Sequence, residues 1–253
     1  MKWIRERVLS GEWMGGTFLN LGSSLTAEIA GKSGFDWVLI DIEHGMGDRY
    51  ELLTQLQAVE ATPAAPLVRI AWNDPTLFKR VLDLGISGVM VPMVNSAEEA
   101  RRAAAAMRFP PEGVRGVARM NRSCDFGPGF TDYFKNANSR LLTIVQIETQ
   151  AAIDRLPEIA AIEGVDVLFV GPLDLSVSLG VPDQFDHPAE QQALAKVVKA
   201  SREAGKAPGI LVATEDQLKT VKALGFTFVA IGSDGGVVVR EMRALAIMLA
   251  KLR

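Results

Sequence analysis

Polar side chains gather where apolar runs end. In residues 38–48, VLIDIEHGMGD, the run closes on Asp41, Glu43 and His44, and His44 is one of only two histidines in the chain. Arg69 stands late inside PLVRIA, Gln146 and Glu148 close LLTIVQIE, Asp174 follows in VGPLDLS, and Asp234 follows in GSDGG. Each residue type suggests a chemistry. Glu148 and Asp174 are 26 residues apart. Two carboxylates facing one space repel and raise each other's pKa. A hard divalent cation such as Mg2+ or Mn2+ removes that cost and keeps positions for water and substrate oxygens. The same carboxylates could instead cap a helix or pair with an arginine. A guanidinium inside an apolar strand is expensive unless paired. Arg69 is therefore either neutralised by Asp41 or Glu43 or placed to hold a developing oxyanion. His44 titrates near neutrality and suits a general base or a water-orienting group, although a lone histidine is often structural. In GPLDLS, Gly171 allows close backbone approach and Pro172 fixes the chain. The helix that follows offers free N–H groups to a carboxylate or phosphate, or simply ends a tight turn. No lysine falls late in a strand, so a Schiff-base mechanism lacks its nucleophile.

The elements that carry these residues recur with regular rhythm. Apolar, β-branched runs predict strands at about 16–21, 37–42, 66–71, 88–93, 141–148, 166–171, 207–212 and 226–232. Amphipathic or alanine-rich segments separate them, several opening on Ser, Thr or Asp and closing on Gly. Strands that are apolar throughout suit a parallel sheet covered by helices. Eight such units spread over residues 1–253 predict a single (β/α)8 barrel, which places its chemistry at the C-terminal ends of its strands. Glu148 and Asp174 then come from neighbouring strands. A doubly wound sheet is the alternative, but no GxGxxG follows the first strand. Residues 108–139, rich in Gly, Pro and Arg, break the rhythm and predict an ordered lid or a subunit contact.

The bulk properties exclude several partners. A net charge of −3 gives no electrostatic reason to expect nucleic acid or an anionic membrane. One cysteine, Cys124, excludes an intrachain disulfide and reads as a bystander thiol. No apolar run reaches membrane-span length and residues 1–12 contain no leader-like apolar region, so the expected location is the cytoplasm. His187, in a loop before a helix, reads as a surface residue.

The motifs FDWVLIDIEHG, PLVRIAWNDP, LDLGISGVMVPMVNSAEEA, GVRGVARMNR, QIET and FVGPLDLSVSLG together resemble the metal-dependent pyruvate aldolases of the HpcH/HpaI family over nearly the whole chain. The resemblance implies a divalent metal (Mg2+, Mn2+ or Co2+) on Glu148 and Asp174, with Gln146 nearby. It implies that Arg69 contacts the pyruvyl oxygen, and that His44 acts as base with Asp41 or Asp83 orienting it. The turn at Gly171 and Pro172, with the N–H groups of Leu173 and Asp174, would receive the substrate carboxylate. It also implies a homohexamer, a trimer of dimers that exchange the last helix. The substrates would be small molecules, pyruvate or another 2-oxo acid with an aldehyde, and no organic cofactor is expected. The second-strand motif runs closer to GEHAPN in the family, and Leu173 stands where alanine is common, which leaves the aldehyde open. Two rival readings are a lyase acting on a coenzyme A thioester and a non-catalytic binding barrel.

Overall fold

The structure is a computed structural model that describes residues 2–252. Its strands are β1 (Met14–Leu19), β2 (Trp37–Asp41), β3 (Ala65–Arg69), β4 (Gly88–Val91), β5 (Leu142–Ile147), β6 (Val167–Val170), β7 (Ala207–Val212) and β8 (Phe228–Ser233). All are parallel, each pairs with its sequence neighbours, and β8 returns to β1 to close the barrel. The helices are α1 (Arg5–Leu9), α2 (Ser24–Lys32), α3 (Arg49–Glu60), α4 (Pro75–Leu82), α5 (Ala97–Met107) and α6 (Phe130–Arg140). They continue with α7 (Gln150–Asp154), α8 (Leu156–Ala160), α9 (Pro172–Ser178), α10 (Pro188–Glu203), α11 (Glu215–Leu224) and α12 (Asp234–Ala250). None is long and apolar enough to cross a membrane among the described residues. The expected (β/α)8 barrel is present.

Local chemistry sets the helix boundaries. Asp48 and Glu51 form a reciprocal capping box at α3, as do Thr214 and Gln217 at α11. Asp74 caps α4 with Pro75 at its first position, where a missing N–H costs nothing. Between β5 and β6 the chain forms two short helices, α7 and α8, that meet at Arg155. Pro157 explains the break, because it cannot donate an intrahelical bond and its ring crowds the preceding turn.

Two apolar layers result from the strand period of two. The inward set includes Trp37, Leu39, Leu67, Ile144, Phe169 and Phe228, all buried in one cluster inside the barrel. Trp37 and Phe228 stack with ring centroids 4.3 Å apart. A second cluster lies between the strands and the helices. The N-terminal segment stoppers the barrel: Ile4 and Val8 join the inner cluster. Arg5 bonds Asp166, and Lys2 donates to the carbonyls of Val59, Thr62 and Ala64.

The segment 108–139 is ordered around buried Arg115. That guanidinium lies 4.4 Å from the Phe109 ring centroid, donates to the Tyr133 hydroxyl and pairs with Asp83 at 3.1 Å. A 3-10 turn at Arg122–Cys124 and α6 complete it. It contributes no residue to the cavity at the barrel mouth, so within one chain it packs beside α4 and does not cover the site. Buried Tyr133 and Ala137 hold α6 in place. At the other end of the chain α12 leaves the barrel: only Gly235 is buried, and Met242, Leu245 and Leu249 are exposed. On α2, Leu25 and Ile29 are exposed as well.

Glu190, in the first turn of α10, is fully buried, and among the described residues neither of its carboxylate oxygens has a partner. Burial pushes its pKa from about 4.5 up to about 7. Between those values the folded protein holds a proton that the unfolded chain has released, so this group's contribution to stability falls as pH rises through that window. Glu190→Gln is therefore expected to stabilise the protein by roughly 2–3 kcal/mol at pH 8 and to be nearly neutral at pH 4. Urea unfolding at the two pH values measures it, and equal effects at both would refute the assignment.

Candidate active site at the barrel mouth

The inward-facing series of each strand turns from apolar to polar at its C-terminal end. Trp37 and Leu39 give way to Asp41, Ala65 and Leu67 to Arg69, and Leu142 and Ile144 to Gln146 and Glu148. Asp41 and Arg69 are direct partners in the β2–β3 register. Their side chains meet as a fork: Nε of Arg69 donates to Oδ1 of Asp41 at 2.9 Å, and Nη2 donates to Oδ2 at 2.6 Å. Such bidentate, charge-assisted pairs are strong and fix orientation. Nη1 of Arg69 lies 3.1 Å from Glu43 and 3.5 Å from Oε1 of Gln146. Gln146 then donates to Oε2 of Glu148 at 2.8 Å, and the Met93 N–H donates to Oε1 at 2.6 Å. One connected network thus runs from Asp41 to Glu148.

Asp41 also organises the loop behind it. Oδ1 accepts the N–H groups of Glu43 and His44. Gly45 is required there, because a Cβ would collide with the Asp41 carbonyl. The His44 imidazole is largely exposed, with Nε2 3.9 Å from Oε1 of Glu43. Glu43, not Asp41, is therefore the side chain between Arg69 and His44. The sequence set both Asp41 and Glu43 beside His44, and the family resemblance named Asp41 or Asp83 as its orienting partner.

Asp174 sits in the first turn of α9, after Gly171 and Pro172. The N–H groups of Leu173 and Asp174 lie too early in that helix to find an intrahelical acceptor, and no side chain caps it. A Cβ on Gly171 would come within 2.5 Å of Oε2 of Glu148. Only glycine lets β6 and the Glu148 carboxylate approach so closely.

Asp83 does not join this group. It ends α4 in a salt bridge to Arg115. Asp234 is also committed elsewhere, accepting from the Asn20 N–H and the Thr26 hydroxyl.

The electrostatics are unbalanced. Burial alone would lower the Arg69 pKa, but the fork from Asp41, with Glu43 and Glu148 nearby, raises it above its ordinary value. Glu43 is raised by burial, with Asp41 and Asp174 adding to the shift and Arg69 and His44 opposing it. Glu148 is pushed up to about 7 by burial, reinforced by Asp174 and Glu43 against the Met93 N–H and Arg69. Asp41, Glu43 and Glu148 act on one guanidinium, and Asp174 adds a further carboxyl group that acts on Glu43 and Glu148. A divalent cation fits this deficit. Among the described residues no group of three or more His, Cys, Asp or Glu forms a complete cage. Two carboxylates with water filling the other positions is the arrangement Mg2+-type ions accept. Glu148 and Asp174 are the residues that would hold it.

A cavity of about 570 Å³ opens from this network, lined by Phe18, Asp41, His44, Arg69, Pro172 and Leu173 on one side.

Removing Arg69 would leave buried Asp41 and Glu43 uncompensated, at a cost of about 3–5 kcal/mol. Arg69→Met should show that loss in denaturant unfolding, with part recovered in Arg69→Met/Asp41→Asn. A stable single variant would contradict the network. Gly171→Ala keeps both carboxylates yet should weaken Mn2+ binding, measured by titration calorimetry, by about tenfold or more through displacement of Glu148. Unchanged affinity would show that Glu148 does not need this clearance.

A model of the HpcH/HpaI aldolase/citrate lyase family matches residues 15–240. A 4-hydroxy-2-oxo-heptane-1,7-dioate aldolase of Shigella flexneri is 45% identical over 231 residues, covering 91% of this chain and 86% of that one. Among solved structures, an HpcH/HpaI aldolase/citrate lyase family protein of Burkholderia cenocepacia J2315 superposes with a TM-score of 0.91 at 35% identity, covering 98% of both chains. An HpcH/HpaI aldolase of Desulfitobacterium hafniense DCB-2 gives a TM-score of 0.91 at 27% identity, covering 99% of this chain and 97% of that one. A family model matched over residues 15–240, together with a relative 45% identical over 91% of the chain, shows that this chain belongs to the HpcH/HpaI aldolase/citrate lyase family.

Proposed function

We propose that the protein is a carbon–carbon lyase catalysing reversible, divalent-metal-dependent aldol cleavage of 4-hydroxy-2-oxo acids to pyruvate, or a related 2-oxo acid, and an aldehyde. The observation that carries this reading is the excess of carboxyl groups over cations around Glu148 at the barrel mouth. A cation of the Mg2+, Mn2+ or Co2+ type on Glu148 and Asp174 supplies Lewis-acid polarisation of a keto oxygen. Arg69, already oriented by Asp41, directs its remaining donors at the oxygen that gains charge as the enolate forms. The N–H groups of Leu173 and Asp174 hold the substrate carboxylate. His44, exposed beside Glu43, exchanges the proton with the hydroxyl or carbonyl of the aldehyde half. Asp83, bound to Arg115 in its own chain, could serve His44 only from a neighbouring subunit. The unpartnered apolar faces of α12 and α2 support assembly by exchange of α12 between copies, within a trimer of dimers. The thioester-lyase alternative has less support: the cations lining the cavity are Arg69 and Arg240, too few for a substrate carrying several phosphates.

Deuterium exchange at the methyl group of pyruvate, followed by NMR, tests enolisation without knowledge of the aldehyde. Exchange is expected with Mg2+, and chelator or Glu148→Ala should lower it at least about a hundredfold. His44→Ala should slow aldol turnover by about 10²–10⁴ while sparing metal affinity. No exchange with any of the three metals would end this reading.

A further inference from the structure

Both oxygens of Glu148 are held from within the chain, and the two holds differ in kind. Oε2 accepts from the Gln146 side chain at 2.8 Å, whereas Oε1 accepts from the Met93 backbone N–H at 2.6 Å. Met93 follows β4 with a φ of 54°, in the left-handed region. A residue other than glycine adopts that conformation at a cost, and keeps it only where its surroundings over-determine it. Here the chain just beyond Met93 supplies them. Val94 is buried and donates its N–H to the Gln146 carbonyl at 3.3 Å. Asn95 then reaches back: its Nδ2 donates to the Met93 carbonyl at 3.0 Å, and its Oδ1 accepts from the Thr149 hydroxyl. Thr149 directly follows Glu148, and its hydroxyl also caps α7 by accepting the Ala152 N–H at 3.1 Å. Asn95 is itself anchored, because its N–H donates to Glu99 at 2.6 Å. One side-chain amide thus ties the loop after β4 to the end of β5, beside Glu148.

We propose that Asn95 is a positioning residue for Glu148, holding Met93 left-handed so that its N–H fixes Oε1 in the orientation that receives a divalent cation. The inference rests on the proposed role of Glu148 as a metal ligand. A carboxylate oxygen that accepts one N–H keeps a further lone pair for a cation. With each oxygen held once, the carboxylate gives up little freedom when the ion binds. Partners behind a ligand commonly set metal affinity by about ten- to a hundredfold. Asn95 does not line the cavity, so it acts through the Met93 backbone.

The test is Mn2+ affinity, measured by titration calorimetry, with urea unfolding of each metal-free variant to check that the barrel is intact. Asn95→Ala and the volume-keeping Asn95→Leu should each weaken Mn2+ binding by about tenfold or more. Adding Met93→Gly to Asn95→Ala should recover much of that loss, because glycine takes a positive φ without a Cβ penalty. A role for Asn95 in stability alone predicts no such recovery. Wild-type affinity in both Asn95 variants, or no recovery in the double variant, would overturn the assignment. Glu148→Ala separates the two failures. If it binds Mn2+ as tightly as the wild-type protein, Glu148 is not a ligand and the metal reading of the site falls with the inference. If it loses Mn2+ while the Asn95 variants do not, only the role of Asn95 is removed.

Discussion

The Arg69–Asp41 fork is the constraint around which the rest of the site is arranged. It places a permanent cation inside the barrel at the level where the inward series becomes polar. Asp41 cannot both neutralise Arg69 and swing elsewhere, so its Oδ1 is fixed as the acceptor for the loop N–H groups of Glu43 and His44. Arg69 in turn draws Glu43 inward and leans towards Gln146, which holds one oxygen of Glu148. Side chains on three strands and one loop are thereby set by a single ion pair. The pairing is affordable because the strands themselves supply the alignment: the two residues are register partners and need no long rotamer search.

Around that fork the carboxylates are held in an environment that disfavours their charge. Burial, more than mutual repulsion, raises Glu148. The barrel interior below the network is filled by Phe169, Ile144 and Leu39. A low-dielectric floor makes these carboxylates costly alone, and a bound cation would remove that cost.

The sequence made the barrel legible because strand periodicity and burial agree in every unit. Six of the eight strands begin within one residue of their expected starts, while β1 begins two residues early at Met14 and β8 two residues late at Phe228. Asp41, Arg69, Gln146 and Glu148 were legible for the same reason: each is the polar member of an otherwise apolar inward series. What depended on contacts distant in sequence was not legible. Asp83 meets Arg115 across 32 positions, and nothing local announces that partner. α6 hides in a segment whose Gly and Pro content reads as loop, although Tyr133 and Ala137 pack as a helix face. The isolation of Glu190 is equally invisible, since a glutamate three residues after an N-cap, here His187, ordinarily reads as a capping group.

The stopper at the opposite end of the barrel has a consequence for traffic. With Ile4 and Val8 packed into the inner core and Lys2 and Arg5 fastened to the strand ends, the interior has one doorway. A molecule held at the depth of Arg69 would have to enter and leave by the open mouth, because the opposite end of the interior is filled by the chain's own first turn.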